Sequence, residues 1–312
     1  MAVTCGRHGD QHQPGVFRGE AMSTLINLII SGLATGSIYA LVAIGFTLLW
    51  QTSQTINFAQ GEFVMLPAFF MLAAMNAGFP FWAAILIGMA LSMLILGVAF
   101  KRMLVDPMLK HGVLPLAIAT MALSLAMKES VKQFYSAEAQ PFPSLIPSID
   151  LHVLGAVVST QSLGVLAVGI GAVVALQFLL TRTSVGHQMQ ATAQNPTTAR
   201  ILGIPVERMI MYSFLINAGL VAIASVLVTP LYLAKFTSGE TLGLAAFIAA
   251  IVGGFNQVRG AIVGGLLLGV VDNLAATYIS TQYRAAVPLM LLIAVILFRP
   301  QGLLGSAEER TV

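Results

Sequence analysis

Apolar residues in this chain form a succession of long runs that short polar or charged clusters separate. Run length, flanking charges and turn residues predict nine spans, at about 25–49, 58–77, 80–100, 112–132, 161–181, 209–232, 241–258, 261–281 and 285–298. A helix needs about 20 predominantly apolar residues to cross the ~30 Å hydrocarbon core of a bilayer. The last run is short and contains Pro288, and the stretch Gly254–Gly264 can form a hairpin that crosses only in part. The pattern therefore predicts eight or nine transmembrane helices.

The fold class that follows is an all-α, polytopic membrane helical bundle. Segments of a membrane β-barrel would alternate apolar and polar positions over about 10 residues, and the chain shows no such alternation. Composition agrees, because 57% of the residues are hydrophobic and only 9% are charged, whereas soluble domains carry roughly 25% charged residues.

The first 21 residues differ from the rest of the chain. They are polar and lack the apolar core of a secretory signal peptide. Met22 then opens an apolar stretch that forms a natural first membrane helix. We expect residues 1–21 to be a disordered or mis-started extension, and residues 22–312 to form one transmembrane domain.

Positive charge in this chain is better explained by membrane orientation than by nucleic-acid binding. If nine spans are real, nine of the fifteen Lys and Arg residues lie on the side of the C-terminus, and cytoplasmic loops carry such an excess. The remaining six, including two in the N-terminal extension, lie on the other side. The charge pattern predicts a cytoplasmic C-terminus.

Composition and motifs also exclude several kinds of chemistry. The single Cys5 rules out an intrachain disulfide framework and a multi-cysteine metal site. No phosphate-binding glycine loop, paired catalytic carboxylates or nucleophile–base pair occurs in the sequence. We therefore expect no catalytic residue, metal or cofactor on this chain.

Polar residues interrupt the apolar pattern at one place in particular. No Asp, Glu, Lys or Arg occurs from Ala21 to Gly61 or from Phe63 to Phe100, yet Glu62 stands between these two runs. Asn57 and Gln60 lie just before it. Polar groups at membrane depth are costly and face a cavity or the bundle interior. Glu62 therefore either borders a pathway or braces the break through an ion pair with an arginine, and we favour the ion pair.

Three further polar residues lie within later spans. Asn217 is expected to form an interhelical hydrogen bond. Asp272 and Asn273 are adjacent, and a structural role and a place on a pathway are equally compatible with their positions.

Glycines recur at a spacing of four residues in the apolar spans. Small residues at this spacing let the backbones of two helices approach closely. This pattern predicts helix-packing positions at Gly32 and Gly36, Gly260 and Gly264, and Gly265 and Gly269.

The connection 181–209 is the longest polar-rich segment between spans. Small and polar residues occur there at helical spacing, the helix is expected to end near Leu202–Gly203, and Pro205 follows. We predict a short amphipathic helix at the cytoplasmic surface.

Three separate blocks give the chain a family resemblance. They are "GSIYALVAIGFTLLWQTSQTINFAQGEFVMLPAF" at 36–69, "VGHQMQATAQNPTTARILGI" at 185–204 and "AAFIAAIVGGFNQVRGAIVGGLLLGVVDNLAATYIS" at 245–280. In this order they resemble the permease subunits of branched-chain amino-acid (Leu/Ile/Val type) ABC importers. The block containing "NFAQGE" is the most specific of the three.

The resemblance implies a set of partners. These are two ATP-binding-cassette ATPase subunits that bind ATP, a second paralogous permease subunit, and an extracytoplasmic substrate-binding protein, assembled at a bacterial inner membrane. It also implies that residues 185–204 dock into an ATPase, with candidate coupling residues Gly186, Ala191, Ala193, Asn195, Ala199, Leu202 and Gly203. Gln190 departs from the family pattern, which often has arginine there, and this changes the electrostatics expected for docking.

For the membrane part, the resemblance implies a translocation path or gate. Its candidate residues are Asn57, Gln60, Gly61, Glu62, Asp272 and Asn273. The expected function is import of branched-chain or related amino acids, with urea or short amides as alternative substrates. An ion-coupled secondary transporter is the alternative from another class, and it would favour paired intramembrane acids and no docking segment.

Overall fold

The computed structural model of the protein describes residues 14–135, 138–145, 149–153, 156–279 and 286–305. Within these residues the chain is almost wholly helical, and one short antiparallel hairpin pairs β1 (Asp150–Val153) with β2 (Ala156–Ser159). The helices are α1 (Pro14–Ser53), α2 (Gln60–Asn76), α3 (Phe81–Ser92), α4 (Asp106–Leu109), α5 (Val113–Tyr135), α6 (Thr160–Arg182), α7 (Ser184–Gln194), α8 (Pro196–Ile201), α9 (Val206–Tyr232), α10 (Ser238–Gly253), α11 (Val258–Tyr278) and α12 (Ala286–Phe298). The helical fold class is confirmed.

Six helical stretches are long and apolar enough to cross a membrane. They are Met22–Ser53, Phe81–Leu109, Val113–Tyr135, Thr160–Arg182, Val206–Tyr232 and Val258–Tyr278. Helices α2, α10 and α12 also coincide with predicted apolar runs, but they have only 17, 16 and 13 residues. The chain is thus a multi-pass membrane protein by length and composition.

The third span differs from its prediction, which ended it at Phe100. The helix continues from α3 through two π-helical segments, Met93–Ala99 and Lys101–Val105, and through α4 to Leu109. Lys101 is only 4% exposed, and its Nζ donates to Asp106 Oδ1 at 2.7 Å. Because this charge is neutralised within its own helix, it does not end the span, and the predicted end at residue 100 was wrong.

Close backbone packing between α1 and α11 forms the centre of the bundle. A Cβ added to Gly269 would lie 2.3 Å from the Cα of Gly36, and one added to Gly32 would lie 2.8 Å from the Cα of Val270. Gly265 lies equally close to the backbone of Ala40. Where no hydrophobic effect drives association, such contacts let dispersion forces hold helices together.

The turn between α10 and α11 repeats this packing. A Cβ on Gly264 would lie 2.1 Å from the carbonyl oxygen of Ala249, and one on Gly260 would lie 2.5 Å from that of Gly253. The segment after α12 covers this turn, because Leu303 N donates to Val252 O at 2.8 Å. The α10–α11 turn and the C-terminal segment therefore lie at the same end of the bundle.

The N-terminal extension is described only in part. Residues 1–13 lie outside the described residues, and the backbone is helical from Pro14 onward, continuous with α1. The proposed start at Met22 stays a prediction.

We predict that Gly269→Ala destabilises the protein, because the new methyl group would collide with the backbone of α1. Overpacking of this kind costs about 1–3 kcal/mol, which thermal unfolding of the purified protein in detergent would detect as a lower melting temperature. The matched control is Gly171→Ala in α6, where no atom lies within 4 Å of the added Cβ. Equal melting temperatures for the two variants would contradict the packing argument.

Candidate functional site

The polar motif predicted from the sequence forms a break between α1 and α2. Helix α1 ends at Ser53, Gln54 has a φ of 52°, and α2 begins at Gln60. The side chain of Asn57 closes the turn before α2, because its Oδ1 accepts a hydrogen bond from Ala59 N at 3.0 Å. Asn side chains commonly bond their own backbone two residues on, so Asn57 shapes the entry to α2.

A buried pair of amides joins α2 to α9. Gln60 Nε2 donates to Asn217 Oδ1 at 2.7 Å, and Asn217 Nδ2 donates back to Gln60 Oε1 at 3.0 Å. Both side chains are fully buried, and the interhelical hydrogen bond expected for Asn217 is confirmed. Gly45 of α1 makes room for the pair, since a Cβ there would lie 2.0 Å from Asn217 Oδ1. Three helices thus meet at one reciprocal hydrogen bond.

Glu62 lies next to a crossing between α2 and α10. At this crossing a Cβ on Gly61 would lie 2.1 Å from the carbonyl oxygen of Gly239, and one on Gly243 would lie 2.7 Å from the Cα of Gly61. Glycine is required at these positions because the two backbones touch.

The prediction that Glu62 forms an ion pair with an arginine is wrong. In the part of the chain that the structure describes, no arginine forms a salt bridge with Glu62, which is 4% exposed. Ser124 of α5, and Lys128 one helical turn further on, are polar neighbours of its side chain. Lys128 itself pairs with Glu240 of α10, with Nζ and Oε2 2.8 Å apart. The polar neighbours of Glu62 thus lie on α5 and α10.

The structure also shows an internal repeat that the sequence reading missed. Helix α2 begins within Phe58-Ala59-Gln60-Gly61-Glu62, and α10 begins within Phe236-Thr237-Ser238-Gly239-Glu240. The preceding helices also share a tetrapeptide, Leu-Val-Ala-Ile, at 41–44 in α1 and at 220–223 in α9. The recurring Phe-x-x-Gly-Glu spacing was the available signal.

The two copies of this repeat run antiparallel to each other. Gly61 contacts Gly239 and Gly243, whereas Phe58, which precedes Gly61, contacts Phe247, which follows Gly243. Residue numbers therefore fall along one segment as they rise along the other, which defines an antiparallel arrangement. The two helices that begin with Phe-x-x-Gly-Glu thus start at a common crossing and leave it in opposite directions.

Backbone strain marks the same position in both copies. Among the described residues, the non-glycine positions with positive φ are Gln54, at 52°, and Leu233, at 65°. Each directly follows the first helix of its copy, α1 or α9. Such conformations cost about 1–3 kcal/mol and cluster at functional sites, so the two breaks are equivalent strained points in the fold.

A cavity of about 490 Å³ opens on one side of the crossing. It is lined by α1, α2, the end of α9, the first half of α10, and α11, with Pro288 of α12. Asp272 lies in its wall and is only 4% exposed, and one of its carboxylate oxygens accepts a hydrogen bond from Tyr39 Oη at 3.2 Å. Asn273 does not line the cavity; its Nδ2 donates to Gly269 O at 3.0 Å within α11.

An aromatic cluster closes the opposite side of the crossing. The rings of Phe46 and Phe247 lie 5.4 Å apart, those of Trp50 and Phe255 5.6 Å, and those of Phe247 and Phe255 5.9 Å, mostly edge to face. Phe58 of the break joins them at 6.5 Å from Phe247. Large aromatic side chains of α1, α10 and the two adjoining connections thus pack together beside the first break.

The predicted amphipathic segment consists of two short helices, α7 and α8. Asn195 separates them and caps α8, because its Oδ1 accepts from Thr198 N at 2.9 Å. Gly186 packs against the backbone of Leu180, and Ala199 is only 2% exposed. These candidate coupling residues thus attach the segment to the bundle, and Ala191 and Ala193 are half-buried.

The end of α8 carries the most exposed apolar side chains of this segment. Ile201 and Leu202 are 80% and 72% exposed, and Gly203, with a φ of 81°, ends the helix. Nearby, Arg200 Nη2 donates to Glu207 Oε1 at 3.1 Å. Of the candidate coupling residues, Leu202 therefore has an exposed apolar side chain.

We predict that the buried amides act as a coupled pair. Gln60→Leu or Asn217→Leu alone leaves one buried amide without its partner, at a cost of about 1–3 kcal/mol. The double variant removes both polar groups, so its loss of stability should be smaller than the sum of the single losses by about 0.5–2 kcal/mol. Thermal unfolding of all four proteins measures this difference, and strict additivity would refute the coupling.

Comparison with known proteins matches this chain to a family. The model of the family described as "Branched-chain amino acid transport system / permease component" matches residues 28–296. No solved structure gives a significant match to the chain.

Several curated proteins resemble the chain along nearly its whole length. The branched-chain amino acid permease protein BraD of Pseudomonas aeruginosa is 30% identical over 297 residues, covering 91% of this chain and 97% of that protein. LivH of Escherichia coli K12 is 30% identical over 299 residues, covering 91% and 96%. A probable LivH of Methanocaldococcus jannaschii is 26% identical over 303 residues, covering 89% and 92%.

These matches confirm the family resemblance carried by the three sequence blocks, and with it the expectation of a transport subunit rather than an enzyme. The chain belongs to the family of permease components of branched-chain amino acid transport systems.

Proposed function

We propose that this chain is the permease subunit of an ATP-driven, binding-protein-dependent importer of branched-chain or related amino acids. The observation that carries the proposal is the cavity beside the two helix breaks, lined by apolar side chains and a few polar ones, inside the membrane bundle of a permease-family chain. Irregular backbone at membrane depth is tolerated where it is buried in protein or lines a water-filled cavity. The relatives named above are branched-chain amino acid permease proteins.

The proposed topology has nine membrane segments, with α2, α10 and α12 as short ones. The connection between α6 and α9, the α10–α11 turn and the segment after α12 then face the cytoplasm. Two observations support this arrangement. Leu303, in the segment after α12, is hydrogen-bonded to the end of α10 at the α10–α11 turn. Arg200, Arg259 and Arg299 lie in or next to these connections, and cytoplasmic connections carry an excess of such charge. The membrane is then a bacterial inner membrane.

The segment formed by α7 and α8 is proposed to dock into an ATPase subunit. The exposed side chains of Ile201 and Leu202 would enter the partner, while the buried Gly186 and Ala199 hold the segment against the bundle. Gln190 does not reach outward as a cation would; its Nε2 donates to Leu180 O at 2.8 Å. Docking at this surface would therefore depend on apolar contact more than on charge.

The proposed mechanism separates energy supply from transport. Two ATPase subunits bind ATP, and an extracytoplasmic protein delivers the substrate to this chain and a paralogous permease. Nucleotide binding favours one of two conformations of the assembly, and motion of α7–α8 would reach the membrane helices through α6 and α9. The aromatic cluster around Phe247 would be the barrier on the cytoplasmic side, and Asn57, Gln60, Gly61 and Glu62 would form the framework that moves with it.

Two alternative functions would require different sets of partner proteins. Import of urea or short amides would use the same subunits with another binding protein. An ion-coupled transporter would need no ATPase at all.

We predict that uptake depends on the partner ATPases. The chain, produced with its partner subunits in vesicles, should accumulate labelled leucine when ATP is supplied and the binding protein is present. Replacing the ATPases by hydrolysis-deficient variants should abolish accumulation, because this chain has no phosphate-binding loop of its own. Unchanged uptake would refute the ATP-driven proposal, and uptake of urea without leucine would select the first alternative.

A second prediction concerns docking. The double substitution Ile201→Ser with Leu202→Ser should weaken copurification of the ATPases roughly tenfold or more, because burial of each side chain contributes about 1.5–3 kcal/mol. The melting temperature of the permease itself should stay unchanged, since both side chains are exposed. Leu304→Ser is the matched control, an exposed residue proposed to face the same side outside α7 and α8. Full copurification of the double variant would place docking elsewhere.

A further inference from the structure

A series of opposite charges joins α8, α9 and the third span, Phe81–Leu109. Lys101 Nζ lies 2.7 Å and 2.9 Å from the two carboxylate oxygens of Asp106, and 4.0 Å from Oε2 of Glu207 in the first turn of α9. The other oxygen of Glu207 accepts a hydrogen bond from Nη2 of Arg200 at 3.1 Å. Arg200 lies in the last turn of α8. These four side chains alternate in charge and connect the end of α8 to the end of the third span.

Lys101 is the member of this network that is removed from solvent. Its side chain is 5% exposed, whereas the side chains of Asp106 and Glu207 are 43% and 70% exposed. Burial of an ammonium group has a large desolvation cost, and apolar residues of similar volume often stabilise a protein as well as a buried ion pair does. Stability alone therefore does not account for a lysine here. A role in positioning its two carboxylate partners does account for it.

The third span is irregular where Lys101 lies. Two π-helical segments, Met93–Ala99 and Lys101–Val105, interrupt the α-helix, and π-helical turns occur frequently at functional sites. Phe100, between the two segments, packs against Phe214 of α9 with the ring centroids 5.9 Å apart. The span thus contacts α9 in two ways, through apolar packing of its rings and through the charged link from Lys101.

We propose that Lys101 is a positioning residue that couples the ATPase-docking segment, α7 and α8, to the third span. When the partner ATPases displace α8, Arg200 carries Glu207 with it, and Lys101 passes this displacement to the π-helical part of the span. The inference rests on the proposed function, and it adds a route to the membrane helices besides α6 and α9. It also assigns Glu207 a role, as the carboxylate that the two cations share.

The test compares leucine import with ATP hydrolysis in the complete complex, reconstituted in proteoliposomes with its binding protein. Lys101→Met nearly keeps the length of the side chain and removes its charge. The ratio of ATP hydrolysed to leucine imported should rise roughly 2–30-fold, the range typical of residues along a coupling network. Copurification of the ATPases and the melting temperature should stay unchanged, because the two released carboxylates reach solvent. Lys101→Arg keeps the charge and should keep the ratio near that of wild type.

A second variant and a control separate coupling from folding. Glu207→Gln changes an exposed side chain, so the fold should tolerate it, and the ratio should rise by a similar factor. Because Lys101 and Glu207 act in one link, the ratio of the double variant should exceed that of either single variant by no more than about twofold. Arg102→Gln removes the neighbouring cation, which is exposed and forms no salt bridge among the described residues. It should leave the ratio unchanged.

The outcomes distinguish this role from the proposed function. Raised ratios in Lys101→Met and Glu207→Gln, with Lys101→Arg and Arg102→Gln normal, support the coupling role. Wild-type ratios in both single variants overturn it, as do increases that multiply in the double variant. A lower melting temperature of Lys101→Met with a normal ratio in Glu207→Gln shows a structural role alone and also overturns it. A wild-type complex that imports no leucine with ATP overturns the proposed function itself, on which the coupling role depends.

Discussion

Exclusion of water from the interior of a membrane bundle is the constraint on which the structure depends. Every backbone or side-chain polar group at that depth must find a partner within the protein. The break before α2 meets this demand through Asn57, which bonds the Ala59 amide, and through the reciprocal amides of Gln60 and Asn217. These contacts let the chain leave the helical conformation between two apolar runs.

Close backbone contact, made possible by glycine, holds the bundle around this break. Apolar side chains gain little by leaving lipid for a protein surface, so helices associate through packing and hydrogen bonds. Gly61 and Gly239 let the backbones of α2 and α10 touch where both helices begin. Gly36 and Gly269 let the backbones of α1 and α11 touch within the helices. The crossing is therefore a contact between backbones.

The antiparallel repeat gives this contact a functional meaning. Two segments that begin with the same Phe-x-x-Gly-Glu pattern leave the crossing in opposite directions, each after a strained residue, Gln54 or Leu233. A cavity lies on one side and an aromatic cluster on the other. Repeats of inverted orientation with discontinuous helices near the midplane are a recurring solution to alternating access, because either side can adopt the arrangement of the other.

The sequence by itself determined the helical class, the positions of most of the apolar helices within a few residues, and the family. Long apolar runs and local charges suffice for these, since lipid enforces helix formation segment by segment. Tertiary structure alone decided that Lys101 continues its helix, that Glu62 faces Ser124 and not an arginine, and that Asp272 shares a cavity with Tyr39 while Asn273 does not. The outcomes for Glu62 and Asp272 depend on contacts between residues far apart in the chain, and the sequence around a polar residue does not identify its partner.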